Sequence, residues 1–144
     1  MDDLRGRRRA VRGAAAVAAV LTVGAGLGVR TVAGGEVAKY AGDALYTVLL
    51  YALLVLVAPR LRPPVAAVAA AGLSWAVELF QLTGVPDDLA RRSVLARLVL
   101  GSTFNPPDLF WYLVGAGLAA LVHTGVRAGT RAAGRPDAVR RAID

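Results

Sequence analysis

Long runs almost free of charge alternate along this chain with short breaks that carry charge or proline. Residues 13–33 are rich in Ala, Val and Gly, and residues 43–58 are dense in Leu, Val and Tyr. Residues 64–82 open on Ala and Val and carry Trp75, Glu78 and Gln81 in their second half; residues 107–126 form the last apolar run. A helix needs about 20 mostly apolar residues to cross the hydrocarbon of a bilayer, so the pattern predicts four spans. The breaks have the chemistry of helix ends. Pro59-Arg60-Leu61-Arg62-Pro63-Pro64 closes the second run and opens the third, Gly84-Val85-Pro86 closes the third, and Asn105-Pro106-Pro107-Asp108 opens the fourth. Proline cannot continue a helix but suits its first turn. Residues 87–100 follow another pattern: Leu89, Leu95, Leu98, Val99 and Leu100 are interleaved with Asp88, Arg91, Arg92 and Arg97. That stretch is too charged to span and too apolar for a free loop, and it predicts one short amphipathic helix at the interface, stopped by Gly101. The expected fold is all-α, a four-transmembrane-helix bundle, with residues 30–42 as a polar link between spans one and two.

Residues 1–12 form a basic head and residues 127–144 a basic tail. A basic head before an apolar run is also the signature of a signal peptide, but the length of the run and the spans that follow favour a retained helix. Gly24, Gly26 and Gly28 in this first span point to close helix packing, including packing between copies of the chain.

Composition sharpens the picture at two points. The 144 residues are 56% hydrophobic and only 19% charged, yet the net charge is +7. Most arginines flank apolar segments instead of spreading over a soluble surface, which argues against nucleic acid as a partner and for the lipid bilayer, with anionic head groups as contacts. Twelve of the seventeen basic residues fall in the head, the Pro59–Pro64 turn and the tail, so the positive-inside rule puts both termini in the cytoplasm. The chain has no cysteine, which excludes disulfides, thiolate metal sites and cysteine nucleophiles.

Ionisable groups inside spans are costly and mark candidate chemistry. With antiparallel neighbours, Asp43, Glu78, Gln81 and Asp108 all fall in the outer half of the bundle, Tyr46 and Tyr112 lie one turn inside the two aspartates, and Arg91 and Arg92 sit above them. This is the candidate polar pocket. Each member also has a purely structural reading. Asp43 and Asp108 in first turns would act as caps, the aromatics would be interfacial anchors, and Glu78 would tie span three to Arg91 or Arg92. His123 lies at the opposite end without companion ligands and reads as a surface or interfacial residue. No metal site, cofactor motif, phosphate loop or nucleophile triad is present in the pattern.

Gly42-Asp43-Ala44-Leu45-Tyr46, Glu78-Leu79-Phe80-Gln81-Leu82, Leu98-Val99-Leu100-Gly101-Ser102-Thr103-Phe104 and Asp108-Leu109-Phe110-Trp111-Tyr112-Leu113-Val114-Gly115 occur in this order. Over about Lys39 to Val122 the chain resembles the small bacterial membrane proteins of unknown function DUF2809, which read G-D-x-L-Y, E-x-x-Q-L, L-R-x-T, L-G-x-x-F and D-L-x-x-Y-x-x-G. Ala90-Arg91-Arg92-Ser93 stands where the family has L-R-x-T, with Ser93 in place of Thr, and the register from Gly101 favours Arg91 as the family arginine. A looser resemblance links the chain to VanZ-like proteins of the cell envelope. The resemblance implies a multi-pass protein of the bacterial cell membrane. Three activities fit it: an envelope accessory or binding protein with an outward polar pocket, a membrane enzyme acting on a lipid-linked or cell-wall precursor, and a small proton-coupled transporter using Glu78.

Overall fold

The computed structural model describes residues 2–101 and 103–133. These are helical with no strand among them: α1 (Asp2–Val32), α2 (Gly35–Val57), α3 (Pro63–Phe80), a 3-10 turn (Gln81–Thr83), α4 (Val85–Arg92), α5 (Val94–Leu100) and α6 (Asp108–Ala133). Four of the helices, α1, α2, α3 and α6, are long and apolar enough to cross a membrane. The chain is thus an all-helical, multi-pass membrane protein.

Three boundaries differ from expectation. The basic head is not a separate segment, because α1 runs through it from Asp2. The link expected over residues 30–42 shrinks to Ala33 and Gly34, because α2 already starts at Gly35. Glu36 lies in the first turn of α2, where a carboxylate favours the helix dipole, and Lys39 and Asp43 stand four residues apart on one face. Polar residues that looked like a loop are therefore the first turns of a helix longer than its apolar run, and Asp43 is not a first-turn cap. The segment expected as one amphipathic helix over 87–100 is two. Ser93 leaves the helical region (φ −145°, ψ 121°), and its hydroxyl accepts the Ala96 N–H at 3.2 Å. This N-cap is a job that serine and threonine share, so the Ser-for-Thr change keeps the cap. The part of the tail beyond residue 133 lies outside the described residues.

The helix α2 is the hub, packing on α1, α3 and α6, while α3 also packs on α6. Small residues allow the close approach. Tyr51 and Val55 of α2 meet Ala66 and Ala70 of α3, Ala15 of α1, and Ala119 and Ala120 of α6. The tightest crossing is at Gly115, where a Cβ would lie 2.2 Å from the Ala44 carbonyl oxygen. Gly24, Gly26 and Gly28 do not serve this purpose within the chain, since a Cβ on any of them would meet nothing within 4 Å. Val17, Val20, Leu21 and Leu27 on the same helix are exposed, so this face of α1 is turned away from the other helices.

The arginines of the basic end are built into the fold. Arg12 donates from Nε to the Leu56 carbonyl at 3.1 Å and from a terminal nitrogen to Val57 at 3.4 Å, and Arg127 donates to the Leu61 carbonyl at 3.3 Å. The last carbonyls of α2 have no intrahelical partner, and guanidinium groups satisfy them while complementing the dipole. His123 is half-buried. Its Nδ1 shares a 2.8 Å hydrogen bond with the Tyr51 hydroxyl, and the two rings meet edge to face.

Candidate functional site

At the other end, α2 and α6 begin and α3 finishes. The carboxylate of Glu78, on the last turn of α3, is buried to 1% exposure. Its Oε1 accepts the backbone N–H of Asn105 at 2.6 Å, and its Oε2 accepts the Tyr112 hydroxyl at 2.8 Å. Asn105 belongs to the loop that leads into α6. Its side-chain amide donates to Asp108 Oδ1, the same oxygen that accepts from the Lys39 ammonium. Lys39 also lies 3.8 Å from Asp43 Oδ2, so one ammonium stands between two aspartates.

Glu78 and Asp108 are enclosed, whereas the side chains of Lys39 and Asp43 remain 44% and 21% exposed. That edge is bordered by rings. The Lys39 ammonium lies 5.4 Å from the Tyr40 centroid, Tyr40 stacks on Trp111 at 5.5 Å, and Phe110 meets Trp111 edge-on. Trp75 donates its indole N–H to the Leu109 carbonyl at 3.0 Å. Deeper in, Tyr46 packs against Tyr112 at 6.3 Å between centroids.

The residues picked from the sequence therefore divide. Asp43, Tyr46, Glu78, Asp108 and Tyr112 are gathered at one end. Gln81 is not a partner of Glu78, because its amide nitrogen donates to the Leu100 carbonyl at 2.7 Å and pins the end of α5 to the end of α3. Gly101 makes room for it. Its φ of +66° suits glycine, and a Cβ there would lie 2.6 Å from Gln81 Nε2. The Glu78–Arg91 tie does not exist. Arg91, 71% exposed, pairs with Asp87 on its own helix, and that bond holds its pKa above the ordinary arginine value. Arg92 is exposed as well. The reason is geometric, since Glu78 is already satisfied from the α6 side and the arginines point to solvent on α4.

Two members were missed, Lys39 and Asn105. Lys39 had a signal, its four-residue spacing to Asp43; Asn105 had a weaker one, its place before Pro-Pro-Asp. The described histidines and acids include no group of three or more that could hold a metal ion.

A family model described as protein of unknown function (DUF2809) matches residues 32–116. The chain belongs to this family. The matched DUF2809 region contains all of α2, α3, α4 and α5 and the first turns of α6, and with them every residue of the polar cluster. Two motifs of DUF2809 acquire a physical meaning here. In Asp108-Leu-Phe-Trp-Tyr112-Leu-Val-Gly115, the aspartate takes Lys39, the tyrosine takes Glu78, and the glycine admits the α2 backbone, all from one face at spacings of four and three. In Gly42-Asp43-Ala44-Leu45-Tyr46, the aspartate stands beside Lys39 and the tyrosine packs against Tyr112. No curated protein and no solved structure matches the chain.

Proposed function

We propose that this chain is an accessory or binding protein of the bacterial cell envelope. In this reading it sits in the plasma membrane with both termini in the cytoplasm, and its polar cluster takes the head group of a lipid or lipid-linked precursor from the outer side. One observation carries the reading: the cluster is closed inward at Glu78 and Asp108 but open at Lys39 and Asp43. That open edge lies within about two turns of the start of α2 and beside the first residue of α6, which is the depth of a bilayer's head groups, where aromatic rings such as Tyr40, Trp111 and Phe110 also gather. An ammonium can bind phosphate, and the rings can cover apolar faces. The orientation follows from the arginines at the opposite end. In the same reading, α4 and α5 lie at the interface, with Leu89, Val94, Leu95, Leu98 and Val99 exposed to lipid.

An acid–base role for Glu78 is less well supported. Both its oxygens are engaged, and Arg91, a cation that could have held a substrate phosphate beside it, is paired with Asp87 on its own helix.

The test is to purify the protein in mild detergent and identify by mass what accompanies it. A lipid or lipid-linked molecule should co-purify in stoichiometric amount and be lost on Lys39→Gln with Asp43→Asn. Co-purification that is unchanged in this double variant would place the ligand elsewhere, and its absence from the wild type would remove the reading.

A further inference from the structure

The turn between α2 and α3 gathers arginines from three parts of the chain. Arg60 and Arg62 belong to the turn itself and are exposed. Arg12, from α1, donates to the Leu56 and Val57 carbonyls at the end of α2. Arg127, from α6, donates to the carbonyl of Leu61, the residue between the two turn arginines. The turn is held from other sides as well. The Leu61 N–H donates to the Ala58 carbonyl at 3.0 Å, and the Tyr51 hydroxyl lies 3.4 Å from the carbonyl of Pro63, where α3 opens. The ion pairs among the described residues, Lys39 with Asp43 and Asp108 and Arg91 with Asp87, all lie toward the opposite end. None of the four guanidiniums at the turn pairs with a carboxylate there. The first turn of α3 carries no acid and no side-chain cap, so its positive dipole end adds to the four cations.

We propose that this turn binds the phosphate of an anionic phospholipid. A guanidinium carries five N–H donors and takes phosphate oxygens in pairs. The backbone carbonyls use two donors of Arg12 and one of Arg127, and the others are left for an anion. The same bonds fix these two side chains, so less freedom is lost when a phosphate arrives. Arg12 also covers the negative dipole end of α2, which would otherwise repel the anion. The apolar neighbours select a lipid over free phosphate. Val57, Val65 and Val126 are exposed, and they adjoin the turn, the start of α3 and Arg127 in sequence. Acyl chains would lie along these valines with the phosphate at the turn. Basic pockets between membrane helices bind phospholipids with several charges, such as cardiolipin with its two phosphates. The inference rests on the membrane placement proposed above, and it is independent of the outer head-group site at Lys39 and Asp43.

The test uses the purified full chain, delipidated in neutral detergent and titrated with cardiolipin or with zwitterionic phosphatidylcholine, with bound lipid counted by native mass spectrometry. Cardiolipin should bind about tenfold or more tightly than phosphatidylcholine. Arg60→Gln with Arg62→Gln should lower cardiolipin affinity about 25-fold, at about fivefold for each arginine. The unfolding temperature should not change, because neither side chain makes a hydrogen bond or ion pair among the described residues. Arg5→Gln with Arg7→Gln removes the same charge further out on α1. At about a Debye length from the turn it should change affinity by less than about twofold. Lys39→Gln with Asp43→Asn should bind cardiolipin like wild type, which keeps this site distinct from the outer one. Equal affinity for the two lipids, wild-type binding by the Arg60 and Arg62 variant, or an equal loss on changing Arg5 and Arg7 would overturn the proposal. So would loss of cardiolipin in the Lys39 and Asp43 variant, or its displacement by millimolar inorganic phosphate.

Discussion

Replacing Glu78 with alanine is expected to destabilise the protein by about 2–4 kcal/mol, the largest loss from any single side chain of the cluster. The carboxylate is buried and accepts from Asn105 N–H and from Tyr112. Truncation leaves both donors without a partner, at about 1–3 kcal/mol each by soluble-protein measures, although side-chain hydrogen bonds measured inside membranes average about 0.6 kcal/mol and reach about 1.7. Two bonds plus the vacated volume give the stated range. Glu78→Gln should recover part of it, because the amide carbonyl still accepts one of the two donors. Thermal unfolding in detergent measures both. A structural tie to Arg91 would instead make Arg91→Gln as costly as Glu78→Gln; the exposed position of Arg91 predicts that this control stays within about 0.5 kcal/mol of wild type.

Gly115→Ala is expected to cost about 1–3 kcal/mol, the range for forcing extra volume into a packed contact. The added methyl would lie 2.2 Å from the Ala44 oxygen and 2.9 Å from its carbonyl carbon. Both are backbone atoms that cannot rotate away, so α2 and α6 must separate. Separation also pulls Asp108 from Lys39, and head-group retention should fall together with stability. Gly117→Ala, two residues further along α6, meets nothing within 4 Å and should be neutral or gain up to about 1 kcal/mol from helix propensity. Unfolding temperatures of the pair, read side by side, separate a packing role from the general cost of changing a glycine in this helix.

The spans could be read from the sequence because charge-free runs and proline-bearing breaks report directly on what lipid tolerates. The antiparallel order then sent Asp43, Glu78 and Asp108 to one end without any knowledge of contacts. What could not be read was which donor each acid meets. The donor to Glu78 is a backbone N–H in the loop before α6, and no side-chain pattern announces a backbone group. Tyr112 looked like an interfacial anchor because phenols at span ends usually are. Lys39 was set aside as part of a link, since hydropathy ends the span where charge begins while the helix itself continues. The buried Thr47–Ser74 pair had no readable signal, since single hydroxyls in a span do not announce which helix they meet. Arg12 on the last carbonyls of α2 and Arg127 on a carbonyl of the turn after it have a structural role beside the charge from which the orientation is inferred.

The central claim is that the polar cluster faces outward from a membrane whose cytoplasmic side holds the arginines. The chain contains no cysteine, so single-cysteine variants report cleanly. Glu36→Cys marks the first turn of α2 at the cluster end, and Arg60→Cys marks the turn between α2 and α3 at the basic end. Intact bacteria expressing each variant would be treated with a membrane-impermeant maleimide, before and after permeabilisation. The account predicts that position 36 is labelled in intact cells and position 60 only after permeabilisation; the reverse pattern, or labelling of both positions from outside, would contradict it.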